Sequence, residues 1–438
     1  MLRRIFKISV IAAAAILCSG KQSFAQSGEY GSFSPYSIFG IGDLSQQGSA
    51  YNRSMGGVGV ASRNVRFLNV LNPAAITARD SLACMVDFSI QNNNTIFSQG
   101  KMTSANNNTN IGTMAISFPI WNKLSAMVGI SPYSSTGYSY ASHETDPAVI
   151  AANGNISYAC TGLGSLYKLY MGAGMAFTKR FSVGAEVDYI FGNLEKISVQ
   201  SFEKSGNNNV QDTYNMHLGA FTGKFGVQYE QPVNTKLKLG VGATWKMAGN
   251  LGGTVEYTHL AVGNATSMDI GSDTLNVRNV SLAGEFALGF SVNYDDRFRA
   301  GLDFALSDWT GTRMDSAMGF ANAAAKQAFS SALRYSTRLG MEFTPNRNDI
   351  RYYRNRITYR AGAYYNNDYF KVAGHDVRSV GITVGATLPV FRWYNGVSVA
   401  LDLGQRGTGA NGLVRENYFK ICIGVNLFDI WFQQPRYD

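Results

Sequence analysis

Charge is what this chain has least of. Asp, Glu, Lys and Arg together make 15% of its 438 residues, against about a quarter in ordinary soluble domains. It also lacks, beyond its first residues, any uninterrupted apolar run of the roughly 18 residues that a membrane helix requires. Cysteine is scarce, and once the leader is removed only Cys84, Cys160 and Cys422 remain, an odd number that argues against a disulfide framework. They read as small buried hydrophobes. Catalytic patterns are missing as well. His143, His217, His259 and His375 are scattered without metal-ligand spacing, and no Gly-x-Ser-x-Gly elbow occurs. Gly162 to Gly164 and Gly172 to Gly174 have no following helix, so they read as strand glycines rather than a nucleotide loop. The sequence thus points away from enzymes and from a cofactor or metal. The formal charge of +9 falls to +5 with the leader's Arg3, Arg4, Lys7 and Lys21. No clustered basic patch interleaved with aromatics remains, which speaks against nucleic-acid binding.

What is present is alternation. In 181–191, Val183, Ala185, Val187 and Tyr189 are apolar, while Ser182, Gly184, Glu186 and Asp188 are small or charged. Side chains of a strand alternate between two faces, so this ribbon has one greasy and one wet side. The pattern recurs in 236–246, 297–307, 356–365, 381–388 and 418–428. At the other extreme, 1–25 reads as a signal peptide: a basic start, an apolar stretch at 8–17, and Ser23-Phe24-Ala25 before the cut. An exported chain of amphipathic strands predicts an all-β transmembrane barrel in the outer membrane of a Gram-negative bacterium, surrounded by outer-membrane lipid.

The connections give the count. Phe118–Lys123, Thr178–Arg180, Glu230–Thr235, Tyr294–Asp296, Pro345–Asn355 and Phe391–Asn395 read as short turns. Seven longer loops lie near 92–110, 133–165, 193–215, 248–280, 309–330, 367–377 and 406–415. Together they imply fourteen antiparallel strands over 81–432, with short turns and both mature termini in the periplasm. Residues 433–438 read as a short periplasmic tail. In the last strand, Phe419, Ile421, Ile423, Val425 and Leu427 should face lipid and Lys420, Cys422, Gly424 and Asn426 the lumen, with Phe428, Trp431 and Phe432 as an interface belt. Such a strand resembles the signal read by barrel-assembly machinery during biogenesis.

Residues 26–80 do not alternate. They are rich in Gly, Ser and Asn, with Ser54 to Ala61 (glycines at 56, 57 and 59) and then Asn72-Pro73-Ala74-Ala75. Glycines permit close backbone approach, as a packed lumenal plug requires. These two stretches resemble the N-terminal hatch of the FadL-type long-chain fatty acid transporters, a family of fourteen-stranded barrels. The ending, Glu416 to Phe419 followed by Trp431-Phe432, looks like outer-membrane proteins of the Bacteroidota. What the resemblance implies is passive uptake of a hydrophobic or amphipathic small molecule, gated by a plug carrying Gly56, Gly57, Gly59, Asn72, Pro73 and Ala74. Some FadL-like barrels (PorV-like) instead serve as accessory or scaffold subunits of secretion or assembly complexes, with other envelope proteins as partners.

On the lumen side the alternation places Glu186, Asp188, Lys236, Lys238, Arg297, Arg299, Asp303, Arg338, Glu342, Arg356, Arg360, Asp402 and Lys420. These either pair with one another and with the plug, or form an electropositive constriction around Arg356 and Arg360. Residues 314–328 are Ala-rich and predict a helical cover, with Met314, Met318, Phe320 and Ala324 as its apolar stripe.

Overall fold

The computed structural model describes residues 32–79, 83–121, 123–144, 146–203, 208–263, 267–321, 329–390 and 395–430. The signal peptide, Trp431, Phe432 and the 433–438 tail lie outside them. Fourteen strands form the wall: β1 Ala83–Gln99, β2 Met102–Trp121, β3 Leu124–Ser135, β4 Ile156–Ala176, β5 Phe181–Phe202, β6 Asn209–Pro232, β7 Leu237–Lys246, β8 Glu285–Tyr294, β9 Phe298–Asp308, β10 Leu333–Phe343, β11 Thr358–Val372, β12 His375–Pro389, β13 Gly396–Arg406 and β14 Arg415–Ile430. Each pairs antiparallel with the next, and β14 pairs with β1 from Ala83↔Ile430 to Ser98↔Arg415, which closes the ring. No described helix is long and apolar enough to cross a membrane.

Alternation is the cause of the wall's two faces. Val187, Tyr189, Val241, Trp245 and Leu427 are exposed on the outside, while Glu186, Asp188 and Asn426 are buried inside. The six expected short connections each fall between consecutive strands of the ring, with residues 122 and 391–394 outside the described ones. Several expected long loops are instead strand: β1 and β2 continue almost to their shared turn at 100–101, and β5 and β6 run to Phe202 and from Asn209. A hairpin, Gly249–Val262 with Ser267–Asn276, pairs antiparallel alongside residues 209–219 of β6. Polar alternation looks like loop composition, yet backbone pairing needs no apolar side chain. Two other expectations change. Phe428 points inward, onto a cluster with Leu68, Val70 and Ile76, rather than into a belt. Described residues 314–321 form turns rather than a helix, and Met318 is exposed, whereas Met314 and Phe320 are buried. Residues 322–328, with Ala324, lie outside the described ones.

Cys84 faces Asp429 and Cys422 faces Gln91 across the β1–β14 pairing, at different levels, and all three described cysteines are free and buried.

Residues 32–79 sit inside the ring. They touch strands on every side: Ala50 lies against Gly424 of β14, Met55 and Gly56 against β10 and β11, Val60 against β7, and Pro73 against β4 and β5. A segment that meets strands on opposite sides of a closed ring can occupy only its interior. It starts below the long-loop rim, where the Ser34 amide donates to Gly137 O (2.7 Å), and descends towards the short turns.

Candidate functional site: the lumen and its inner segment

Ten glycines prepare the wall for the inner segment. Gly174, Gly184, Gly226, Gly242, Gly289, Gly301, Gly340, Gly362, Gly385 and Gly424 would each drive an added Cβ into that segment. Several stand directly opposite one another, as Gly174↔Gly184, Gly184↔Gly226, Gly301↔Gly340 and Gly340↔Gly362 do. The result is a belt without side chains, against which the segment packs with its backbone at Gly174, Gly184, Gly242, Gly289, Gly340 and Gly362 and with the side chains of Ala50, Ser54, Val58 and Asn72 at the other four. Sequence reasoning missed it, because the matching height of these glycines is a matter of strand register.

The motif residues fill the belt. Gly56 and Gly57 have φ of 69° and 88°, the left-handed region that glycine enters without strain. The Gly56 amide donates to Thr383 Oγ1 (2.8 Å). Gly59 and Val60 donate their amides to the buried Asp303 carboxylate at 2.7 and 2.9 Å. Asn72 caps the short helix Pro73–Ala78: its Oδ1 accepts from the Ala74 amide (3.0 Å). Its Nδ2 donates to Val60 O (2.8 Å) and to Val227 O of β6 (3.2 Å), so one side chain joins two stretches of the segment to the wall. Pro73 sits at the first helical turn, where no amide donor is needed. Ala74 is fully buried.

Many of the expected lumen charges have a partner, but among the described residues only Arg360 and Glu342 form an ion pair within the expected set; the other ion pairs reach residues outside it. Glu186 accepts from Lys168 (3.0 Å) and Lys224 (3.3 Å), and Lys168 also lies 3.6 Å from Asp188. Arg360 Nε meets Glu342 at 2.9 Å, and its guanidinium stacks over Tyr51 and Phe67 of the inner segment. Asp402 accepts from Tyr364 Oη (2.7 Å), and Lys420 lies over Tyr418. Arg299 and Lys238 reach Asp296 at 3.3 and 3.9 Å. Three positions are corrected. Lys236 and Arg297 are exposed in the short turns, and Arg356 belongs to the turn helix Tyr353–Arg356, over the Tyr353 ring. All three sit at strand ends, where alternation no longer governs direction. Arg356 and Arg360 therefore do not form a joint constriction.

Nearer the long loops the interior becomes apolar. Ile38, Phe39 and Ile41 pack with Trp309, Met314, Phe320, Tyr369 and Phe370. Phe39 stacks on Phe329 at 4.9 Å. Lys196 reaches in from β5 and donates to the carbonyls of Ile38 (3.0 Å), Gly40 (3.1 Å) and Phe320 (3.5 Å). Tyr369 Oη donates to Phe39 O (3.0 Å) and Gly42 O (2.7 Å). Arg406 pairs with Asp43 (2.8 Å), Asp368 (2.7 Å) and Glu416 (3.5 Å). Burial pushes the Tyr36 phenol above its ordinary range, with Arg406 beside it opposing. Lys196 and Arg406 fell in expected loops, so their inward parity went unread.

Between the two layers lies a cavity of about 620 Å³, lined by eight lysines and arginines and five carboxylates. It reaches a seam in the wall. Among the described residues β2 pairs with β3 only from Met114 to Trp121, and residues on both sides of the seam, Ile111 and Ile130 among them, line the cavity. On the β3 side the inner segment takes a strand's place, with Asp43↔Ser135 and Leu44↔Ser134. No His, Cys, Asp and Glu group that could hold a metal occurs among the described residues.

Solved structures of similar fold include hydrocarbon transporters and channels. The chain is similar to the toluene transporter TbuX of Ralstonia pickettii (TM-score 0.57, 14% identity, 86% of this chain and 97% of that one). It is similar also to the toluene transporter TodX of Pseudomonas putida (0.55, 14%, 90% and 100%) and to a FadL homologue of Pseudomonas aeruginosa (0.55, 10%, 89% and 99%). At these identities the likeness is one of fold. No curated protein matches the sequence. A family model described as BamG matches residues 1–438, and the chain belongs to the BamG family.

Proposed function

We propose that this protein is an accessory barrel of the outer-membrane barrel-assembly machinery, structural rather than conducting, with its short turns in the periplasm. The observation that carries the reading is the state of the lumen. The volume that would suit a hydrophobic solute is filled by the chain's own Ile38 to Ile41 and Trp309 to Phe320. The space left over mixes apolar side chains with thirteen charged ones, and a wholly apolar solute placed there would strip those charged groups of water. The family's name, with its Bam prefix, supports the same partner.

A second reading is uptake of a hydrophobic or amphipathic molecule, gated by the inner segment as a plug over residues 26–80. The seam between β2 and β3 favours it, because it joins the cavity to the wall's outer face. So does the fold shared with toluene transporters.

Native mass spectrometry after gentle detergent extraction from the native outer membrane separates the two. A barrel bound in fixed ratio to other envelope proteins is the expected result. A lone barrel carrying a lipid-like ligand would sink the assembly reading and favour uptake.

A further inference from the structure

The connection between β10 and β11, residues 344–357, is the longest of the short turns, and its composition sets it apart as a cluster of arginines interleaved with tyrosines, which sequence reasoning missed. It holds Arg347, Arg351, Arg354 and Arg356 against one carboxylate, Asp349. Ile350, near its middle, is 97% exposed. Tyr352 and Tyr353 are also exposed, with Arg351 and Arg354 over the first ring (5.2 and 5.6 Å) and Arg356 over the second (5.0 Å).

The turn is built to hold this shape. The Asp349 carboxylate accepts the amides of Arg351 and Tyr352, both at 2.8 Å, and also a bond from Asn355 Nδ2. The Asn346 amide donates to Asn355 O (2.8 Å), and Tyr353 Oη donates to Pro389 O (2.9 Å) across to β12. A fully exposed isoleucine on a preorganised turn, ringed by arginine and tyrosine, has the composition of a binding hot spot, and rigidity lowers the entropy that binding must overcome.

Behind the turn there is a shortage of negative charge. Arg347 and Arg360 share Glu342 at 3.9 and 2.9 Å. Buried nitrogens of Arg299, Arg347 and Arg360 lack a hydrogen-bond partner. Burial, with repulsion from Arg66 and Arg299, depresses the Arg347 guanidinium to about 10. The surface in front of this cluster therefore favours an acidic occupant.

We propose that residues 346–356 form a docking site for an acidic segment of a partner protein at the short-turn face, with Ile350 as the apolar anchor and Arg351, Arg354 and Arg356 as the charged contacts. The inference rests on the accessory-subunit reading and names the surface through which that subunit is held. Protein is favoured over lipid because Ile350 stands directly between Asp349 and Arg351, with Asn348 next to Asp349, a polar setting that suits an aqueous interface better than an acyl chain.

The test uses the full-length protein in its native cells. A photo-crosslinking residue is placed at Ile350 and, as a control, at the exposed Val233 of another short turn. In parallel, Ile350→Asp and the double variant Arg351→Glu/Arg354→Glu are purified gently, and folding is checked by heat-modifiability on gels. The expected result is an adduct at 350, not 233, with a subunit that also co-purifies in fixed ratio. Both variants should lose that subunit by about 30-fold or more, as expected for hot-spot residues, while the barrel stays folded. Wild-type protein that purifies alone would overturn the accessory reading and this inference with it. Wild-type retention of the subunit by both variants, or adducts at 350 with lipid only, would overturn the inference and leave that reading standing.

Discussion

One inner segment is held in two layers of the lumen by different means. Towards the short turns, Ala50 to Ala78 lies on the glycine belt, mostly backbone against backbone, with Asp303 and Asn72 supplying directed bonds. Towards the long loops, Ile38 to Ile41 lies in an aromatic and aliphatic cluster, tied by Lys196, Tyr369 and Arg406. The lower layer is specified by where side chains are missing. The upper one is specified by apolar area, which is non-directional and tolerant of small shifts. The lower layer should therefore fail abruptly when a single position is filled, and the upper one should yield by degrees.

Removing both layers together has the largest expected effect. Deleting residues 32–79 should turn a barrel with no resolvable steps in planar bilayers into one with large, long-lived steps, because fourteen strands enclose space beyond what side chains fill. Conductance equal to wild type would mean that the segment does not close the lumen.

Filling the belt comes next. Gly184→Leu and Gly362→Leu each force a side chain into the backbone of the inner segment, at Pro73 to Ala74 and at Met55 to Gly56 respectively. Overpacking of this kind costs about 1–3 kcal/mol per site, and here the obstruction is backbone that cannot rotate away. The double variant should expose Arg63 and Arg66 to trypsin while the strands stay protected. Leu at Gly271, where an added Cβ meets nothing, should change neither property. Trypsin resistance in the double variant would break the distinction between the layers.

Asp303→Ala tests the directed bonds alone. It leaves the buried amides of Gly59 and Val60 without an acceptor, at about 1–3 kcal/mol each. Asp303→Asn keeps an acceptor oxygen and should recover much of that loss. The comparison is read as thermal unfolding of the detergent-solubilised barrel, and equal melting of the two variants would show that the amides find other partners.

The wall was legible in the sequence because lipid outside and polar groups inside impose a period of two, as Glu186, Val187 and Asp188 illustrate. The motif residues were legible too, since Gly56, Gly57 and Asn72-Pro73 have few uses other than tight turns and caps. Three things were not. Strand extensions such as β5 beyond Asn193 lie outside the lipid, where alternation loses its apolar phase, so Lys196 looked like a loop residue. Lys236, Arg297 and Arg356 follow the parity of their neighbours but sit where the chain turns. The glycine belt is a relation between strands far apart in sequence, visible only once Gly301, Gly340 and Gly362 stand side by side in register.

The smallest effect is expected at Lys196, and it sharpens the comparison most. Its ammonium is nearly fully buried and bonded to three carbonyls, two from the inner segment and one from the 309–321 stretch. Lys196→Met takes the donor from the Ile38 and Gly40 carbonyls, which costs stability, but it also removes the cost of keeping a charge out of water, and the two effects oppose one another. If the upper layer is held by area, the melting temperature should stay within a few degrees, because the change amounts to about 1 kcal/mol or less. Amide exchange at 38–42 should nevertheless quicken, since Ile38 and Gly40 lose the donor that fixes their orientation. A large drop in melting temperature would instead mean that one directed cation holds the upper layer, and the two layers would then differ in composition but not in kind.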